Sequence, residues 1–144
     1  MHSVSVAGVT LRENGSILCI RRRDTGAWQV PGGVLERGET IHAGLCREVV
    51  EETGAVVRPG RMTGVYLNLP LGVVAMVFLC DFAGGSIATV TEEATQVRWL
   101  SPDDVQVRFV PAFAVRVSDA LAGRSEPFVR AHDGVSVVAA DGPG

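Results

Sequence analysis

The sequence predicts an α/β domain in which helices pack against a β-sheet. Valine-rich segments with the two-residue alternation of strands recur along the chain, and three segments with helical signals accompany them. Elements in this mixture form packed layers around a core. At 144 residues, with 47% hydrophobic and 20% charged residues, the chain has the composition of an ordinary globular protein. We therefore expect a single domain over residues 1–144.

Two strands joined by a turn are predicted at the start of the chain. Residues 3–11 are rich in Val and partly alternate, and residues 16–23 form the return strand. Between them, Glu13-Asn14-Gly15 carries the Asn-Gly pair that favours a hairpin. The return strand ends in Arg21, Arg22 and Arg23. Two interpretations stay open: a charged strand end that keeps a sheet edge soluble, or arginines that reach phosphate groups of a ligand.

A loop that enters a helix is predicted within residues 33–55. Thr40 is a suitable N-cap, residues 45–53 contain no Gly, and Gly54 provides the C-terminal stop. Apolar residues recur every four positions and form a buried stripe: Ile41, Leu45 and Val49. The same helix is strongly acidic along one edge.

The acidic edge consists of Glu48, Glu51 and Glu52. Glu48 and Glu52 are one turn apart, and like charges at that spacing destabilise a helix by roughly 0.2–0.5 kcal/mol. Hard divalent cations bind carboxylate oxygens, and Mg²⁺ is usually held by a few carboxylates together with phosphates. Arg47 can donate a planar fork that holds one carboxylate in place. The alternative is a solvated acidic face with no ligand.

The second half of the chain continues the alternation of strands and helices. We predict strands at residues 56–69, 71–82 and 96–100, with a tight connection at 68–70, and helices starting at Ser101 and Pro111. Ser101 is the N-cap of the first helix, because Pro and two Asp follow it. After Gly123, short strands are predicted at 127–129 and 135–138, with fraying from Asp141 onward.

Charge and cysteine usage limit the class of partner. A net charge of −3 argues against binding of duplex nucleic acid, and no apolar run is long enough to span a membrane. Cys19, Cys46 and Cys80 are expected to be buried free thiols. With no signal peptide recognised at the start, we expect a cytoplasmic protein. His2, His42 and His132 are assigned no functional role.

The stretch from Gly33 to Ala55 resembles the signature of the Nudix hydrolases, G-x5-E-x7-R-E-U-x-E-E-x-G-U, where U is apolar. Its seven fixed positions are occupied by Gly33, Glu39, Arg47, Glu48, Glu51, Glu52 and Gly54. Ala55 is smaller than the aliphatic residue usual at the last position. Trp28 to Gly33 resembles the W-x-x-P-G-G lead-in of many members. The resemblance covers residues 4–122 and leaves a short C-terminal extension.

This resemblance implies a fold and a reaction. The fold would be an α/β/α sandwich with a mixed central sheet. The helix of the signature would lie on one side of the sheet and the C-terminal helix on the other. The reaction would be hydrolysis of a diphosphate linkage with Mg²⁺ or Mn²⁺ as cofactor. The implied catalytic residues are Arg47, Glu48, Glu51, Glu52 and Glu39. The implied metal ligands are Glu48, Glu51, Glu52 and the carbonyl of Gly32.

The general base and the phosphate contacts lie partly outside the signature. Members of the family use either a signature Glu or a later loop carboxylate, which leaves Glu48 and Glu93 (or Glu92) as candidates here. Arg22 best matches the arginine that contacts phosphate in MutT-like members, and Arg21 is its neighbour. We also place Glu93 among the substrate-binding candidates.

The substrate is expected to be a small nucleotide. The short chain favours a MutT-like nucleoside triphosphate pyrophosphohydrolase. Pro70 lies fifteen residues after Ala55. Because a Pro near this spacing marks the ADP-ribose-specific members of the family, the resemblance implies an ADP-ribose or nucleotide-sugar pyrophosphatase as the alternative. A non-catalytic nucleotide sensor is a third reading. Tyr66, Asn68 and Phe113 are candidates for lining a base pocket, and the family resemblance allows a homodimer.

Overall fold

The computed structural model describes residues 1–141, which form strands and helices in alternation. Within these residues there are nine strands and three helices. The strands are β1 (Ser3–Leu11), β2 (Ile17–Arg22), β3 (Trp28–Gln29), β4 (Gly32–Val34), β5 (Ala55–Asn68), β6 (Val73–Gly85), β7 (Ala94–Leu100), β8 (Phe128–His132) and β9 (Val137–Asp141). The helices are α1 (Ile41–Thr53), α2 (Pro102–Arg108) and α3 (Pro111–Leu121).

The strands form one mixed sheet with the order β3-β2-β1-β6-β5-β8-β9, and β4 and β7 pair with β1 and β2 respectively. The β1–β6 and β5–β8 pairs are parallel, and the other pairs are antiparallel. The parallel β1–β6 pair runs from Ser3 opposite Val73 to Leu11 opposite Asp81. A mixed sheet is therefore present, as expected.

The sheet is covered on both faces, because successive residues of a strand point to opposite sides. In β2, Ile17 and Cys19 belong to one core, whereas Leu18 and Ile20 belong to the other. The first core contains Val105 of α2 with Ala114 and Val117 of α3, and the second contains Leu45 and Val49 of α1. Helix α1 thus packs on one face and α2 and α3 on the other, which is an α/β/α sandwich.

The helix ends follow the local sequence signals. The Thr40 hydroxyl accepts a hydrogen bond from the backbone N–H of Ala43 at 3.2 Å, and Gly54 ends α1 with φ of 81°. That left-handed conformation favours glycine. The Ser101 hydroxyl likewise accepts from Asp104 N–H at 3.1 Å at the start of α2. None of the helices that the structure describes is long and apolar enough to cross a membrane.

The C-terminal segment differs from the predicted frayed end. Strand β8 pairs in parallel with β5, and β9 pairs with β8 as far as Asp141, which lies opposite Val129. Asp141 was expected to be frayed, but its backbone is part of the sheet; the remaining predicted frayed residues, 142–144, lie outside the described range. The segment also carries His132, which is only 1% exposed although the sequence indicated no packing role.

Candidate active site

The three acidic residues on one edge of helix α1 lie in different environments. Glu48 and Glu52 are 8% and 1% exposed, because they lie next to the apolar stripe that packs on the sheet. The Glu51 side chain is 54% exposed and points along the outer edge of the helix. Of the predicted acidic edge, Glu48 and Glu52 are therefore buried, and Glu51 is exposed.

The glycine turn in front of α1 lets the backbone approach these carboxylates closely. The Gly32 N–H donates to Glu52 Oε1 at 2.7 Å. A Cβ atom added at Gly33 would lie 2.5 Å from Glu48 Oε2, and one added at Gly32 would lie 2.3 Å from the carbonyl oxygen of Val6. Any larger side chain at Gly33 would therefore displace the Glu48 carboxylate.

Arg47 is the centre of an ion-pair network. Its Nε and Nη2 donate to the two oxygens of Glu39 at 2.9 and 2.6 Å, and Nη1 donates to Glu48 at 2.9 Å and Glu51 at 3.3 Å. The Arg47 hydrogen bonds, together with the Glu36 N–H, lower the pKa of Glu39 to about 2. Glu39 is therefore ionised and anchors Arg47, which in turn fixes Glu48.

Three carboxylates converge beside the glycine turn. Glu48, Glu52 and Glu93 each offer an oxygen within 4.8 Å of the others. Burial raises the pKa of Glu52 to about 8, with further contributions from the charges of Glu48 and Glu93 and opposition from the Gly32 N–H. Burial also raises the pKa of Glu48, against the effect of Arg47. Close, hard oxygen donors with incompletely compensated negative charge fit a divalent cation such as Mg²⁺.

The loop that carries Glu93 is held in place by Arg23. Its Nε donates to the Glu92 carbonyl at 3.1 Å, and its Nη2 donates to the carbonyls of Thr91 at 3.0 Å and Ala94 at 3.3 Å. The Arg23 backbone N–H donates to the Glu93 carbonyl at 2.9 Å. The third arginine of the run is thus engaged by backbone carbonyls, which fix the position of Glu93 relative to α1.

Arg21 and Arg22 have different positions relative to the carboxylates. Arg22 lines an open cleft of about 880 Å³ together with Gly32, Gly33, Glu48 and Glu93. Its Nε and Nη2 donate to the Asp24 carboxylate at 2.8 and 2.7 Å, and this pairing raises its pKa. Arg21 instead donates from Nε to the Gly26 carbonyl at 3.0 Å, and it is not among the residues that line the cleft.

A smaller cavity of about 190 Å³ adjoins the cleft on the α3 side of the glycine turn. It shares Arg22, Gly32 and Gly33 with the cleft. Asn68 and Phe113, two of the three base-pocket candidates, line it. The third candidate, Tyr66, is 1% exposed and is not among the lining residues; its hydroxyl donates to Asp119 Oδ2 at 2.8 Å.

The cavity is also lined by Arg116, which the sequence analysis did not single out. Arg116 is 7% exposed, and it lies four residues from Ala112 and from Ala120, both of which are buried. A charged residue in a row of small apolar residues at helical spacing was the signal that could have identified it. The two spaces therefore differ in charge: carboxylates converge on one and a guanidinium borders the other.

Known proteins resemble this chain over most of its length. The NUDIX domain family matches residues 1–121. A MutT-like protein of Streptomyces ambofaciens is 50% identical over 140 residues, covering 97% of this chain and 90% of that protein. A Bacillus subtilis (strain 168) protein, whose assigned name proposes 8-oxo-dGTP diphosphatase activity, is 26% identical over 141 residues, covering 98% and 95%.

Solved structures show the same fold. A NUDIX hydrolase from Nitrosomonas europaea superposes with a TM-score of 0.78 at 20% sequence identity, covering 92% of this chain and 80% of that chain. At this identity the likeness concerns the fold alone, and it confirms the predicted sandwich. The match of the family to most of the chain, together with the 50% identical relative, confirms the resemblance seen in the signature. The chain belongs to the Nudix hydrolase family, whose members act on phosphorus-containing acid anhydrides.

Proposed function

We propose that this protein is a divalent-metal-dependent nucleoside triphosphate pyrophosphohydrolase that releases a nucleoside monophosphate and pyrophosphate. The observation that carries the proposal is the convergence of Glu48, Glu52 and Glu93 within 4.8 Å beside a cleft that adjoins a smaller cavity. The carboxylates suit a cation-bound polyphosphate, and the cavity offers space for the base. The name of the 50% identical relative, a MutT-like protein, supports the same reading.

The residues of the cleft have separate tasks in this proposal. Glu48 and Glu52 would hold the cation, and Glu93, Glu51 or the Gly32 carbonyl would complete its ligands. A bound Mg²⁺ or Mn²⁺ neutralises phosphate charge and lowers the pKa of an attacking water. Arg47 and Glu39 position Glu48, since the geometry of a ligand depends on the groups that hold it.

The chemical step requires an acceptor for the proton of water. Glu93 is exposed and lies beside Glu48 and Glu52, so it is the loop candidate for the general base, and Glu48 is the candidate on α1. As the water oxygen bonds to phosphorus, its proton passes to that carboxylate and the bridging P–O bond breaks. The leaving group is pyrophosphate if water attacks the α-phosphorus, and the nucleoside monophosphate if water attacks the β-phosphorus. Arg22 donates to a phosphate oxygen once it is released from Asp24.

Hydrolysis of ADP-ribose or a nucleotide sugar is the second candidate. Pro70 lies in the exposed turn between β5 and β6, and its neighbours Asn68 and Leu71 line the smaller cavity. A turn that borders the proposed base site can contact a second sugar. The location of Pro70 beside the cavity therefore supports the same substrate class as its spacing from Ala55.

The test is metal-dependent turnover across a panel of substrates. The panel contains the deoxynucleoside triphosphates, 8-oxo-dGTP, ADP-ribose and nucleotide sugars, each with Mg²⁺, with Mn²⁺ and with excess chelator. We expect turnover of triphosphates to a monophosphate and pyrophosphate, abolished by chelator. Turnover restricted to ADP-ribose or nucleotide sugars would establish the second candidate. Nucleotide binding without any turnover would support the sensor and contradict both.

Glu52→Gln tests the carboxylate site directly. We expect a loss of kcat/KM larger than the roughly 10- to 100-fold that loss of a supporting partner costs. We also expect Mn²⁺ to raise the melting temperature of the unmodified protein but not that of Glu52→Gln. Glu126→Gln removes an exposed carboxylate from outside the cleft and serves as the control. Retained metal-dependent activity in Glu52→Gln would rule out the assigned ligand set.

A further inference from the structure

Arg116 is a buried guanidinium with few partners for its hydrogen-bond donors. It is 7% exposed, and its Nε has no hydrogen-bond partner among the described residues. It packs over the rings of Phe113 at 4.6 Å and Tyr66 at 5.1 Å. Burial lowers the pKa of Arg116 to about 10, so the group remains charged at neutral pH. A buried charge without acceptors is costly unless a ligand supplies them.

The one polar neighbour of Arg116 is a poor acceptor. Arg116 Nη2 lies 3.4 Å from His132 Nε2. His132 Nδ1, however, accepts from the backbone N–H of Gly134 at 3.0 Å. A neutral imidazole has one donor and one acceptor nitrogen, so this bond assigns the proton to Nε2. The ring nitrogen that faces Arg116 therefore has no lone pair to offer.

The carboxylate on the same helix is already fully engaged. Asp119 accepts from Arg130 Nε and Nη2 at 2.8 and 2.9 Å, and it also accepts from the Tyr66 hydroxyl. No hydrogen bond or ion pair joins Asp119 to Arg116 within the described residues. The protein thus neutralises Arg130 internally and leaves Arg116 without a carboxylate partner.

Arg116 lies where its unpaired donors can contact a ligand bound in the smaller cavity. It lines the cavity of about 190 Å³ that shares Arg22, Gly32 and Gly33 with the carboxylate cleft. A cavity of about 150 Å³ is large enough for a benzene ring, so this space suits a planar base. A nucleotide with its phosphates at the carboxylates would have its base on the Arg116 side.

We propose that Arg116 reads the O6/N7 edge of a 6-oxopurine base, as in guanine or hypoxanthine, and so determines base specificity. Arginine's fork needs two adjacent acceptors, and among the purine bases the 6-oxopurine edge presents them as O6 and N7. Adenine places an amino donor beside N7, where it would oppose the guanidinium. An 8-oxoguanine base keeps O6 but carries hydrogen on N7, so it retains one of the two contacts. This inference rests on the proposed nucleotide hydrolysis.

The first experiment uses the unmodified protein and matched substrates. dGTP, 7-deaza-dGTP and 2,6-diaminopurine deoxyriboside triphosphate differ at N7 or at position 6 of the same ring system. We expect kcat/KM to fall by about 5- to 150-fold for the diaminopurine substrate, the range of a bidentate arginine–guanine pair. A smaller loss is expected for 7-deaza-dGTP. Equal kcat/KM for all three substrates would overturn the proposal.

The second experiment changes the protein. Arg116→Gln should bring the ratio of kcat/KM for dGTP to that for the diaminopurine substrate to one or below, because glutamine pairs with an N6/N7 edge. Arg116→Lys should give an intermediate ratio because it keeps the charge and loses the fork. Arg124→Gln removes an exposed arginine and should keep the unmodified ratio. Equal losses on both substrates in Arg116→Gln would indicate a structural role and overturn the assignment. If Arg116→Gln does not fold, the substrate comparison decides alone.

Failure of the proposed hydrolysis is separable from failure of this inference. If none of the triphosphates is hydrolysed, the proposed function fails. Calorimetric binding of GMP and of 2,6-diaminopurine riboside monophosphate then tests Arg116 without turnover. Tighter binding of GMP in the unmodified protein, lost in Arg116→Gln, would support the assignment, and equal binding of both would overturn it.

Discussion

The two sides of the Gly32–Gly33 turn hold buried charges of opposite sign. On the α1 side, carboxylates converge and Arg47 neutralises only some of them. On the α3 side, Arg130 neutralises Asp119, while Arg116 has aromatic rings and a histidine donor around it. Burying a charge is tolerated when its partners are complete. The comparison teaches that a buried charge with an opposite charge beside it, as in Arg130–Asp119, stabilises the fold. A buried charge without such a partner marks the position of a ligand.

Among the residues that support the two sites, Arg47 is expected to give the largest effect, in the variant Arg47→Met. It leaves Glu39 and Glu48 without their shared guanidinium, so we expect kcat/KM to fall by about 10- to 100-fold, the typical cost of losing a supporting partner. Steady-state kinetics with saturating metal measures this, and Arg37→Gln, an exposed arginine in the same loop, is the control. Unchanged kinetics would show that the carboxylates keep their positions without Arg47.

A smaller loss is expected from Arg23→Gln, which releases the loop that carries Glu93. The variant removes three hydrogen bonds from Arg23 to backbone carbonyls. We expect the Mg²⁺ concentration for half-maximal activity to rise by about tenfold, the lower end of the range for supporting partners. A metal titration of activity measures it. An equal loss at every metal concentration would mean that the loop does not position a ligand.

On the α3 side, Tyr66→Phe should affect stability. It removes the hydroxyl that donates to Asp119 but keeps the ring beneath Arg116. Because Arg130 still pairs with Asp119, we expect the free energy of unfolding to fall by about 1 kcal/mol, the cost of one buried hydrogen bond. Urea denaturation measures it. No change in the denaturation midpoint would show that water replaces the hydroxyl.

The smallest effect concerns pH. Burial and the charge of Arg116 lower the pKa of His132 from 6.5, with Asp133 opposing. The unfolded chain then binds the proton more readily, so His132 contributes stability that is present above pH 6.5 and lost as the pH falls below it. The slope from one proton is at most about 1.4 kcal/mol per pH unit. Urea denaturation between pH 5 and pH 8 should show a shallower dependence in His132→Gln; identical slopes would exclude His132 as the source.

Much of the α1 side could be predicted from sequence because its determinants are local. Thr40 and Gly54 mark the ends of the helix through their own backbone and side-chain chemistry. The spacing of Glu48 and Glu52 follows from the helical period, which needs no tertiary information. The family signature added Glu39, which lies eight residues before Arg47 and pairs with it across the loop.

The α3 side could not be predicted in the same way. Asn68 of β5 is far in the chain from Phe113 and Arg116 of α3, and the three residues meet only when β5 and α3 pack at the cavity. Glu93 is brought to Glu48 and Glu52 by the β2–β7 pairing and by Arg23. The burial of His132 depends on β8 joining β5 in parallel, a pairing between residues more than sixty positions apart.

By itself the sequence determined the alternation of strands and helices, the acidic helix with its caps, and the family. The helices, the caps and the strands depend on interactions between residues a few positions apart, where backbone geometry sets the distances. The family is identified by a signature that is itself a short stretch of the chain. The tertiary structure alone decided which carboxylates lie close together. It also decided that Arg23 holds the loop of Glu93 and that Arg116 has no carboxylate partner in the part of the chain that the structure describes. Charge compensation depends on what surrounds a group in three dimensions, and no local pattern records that.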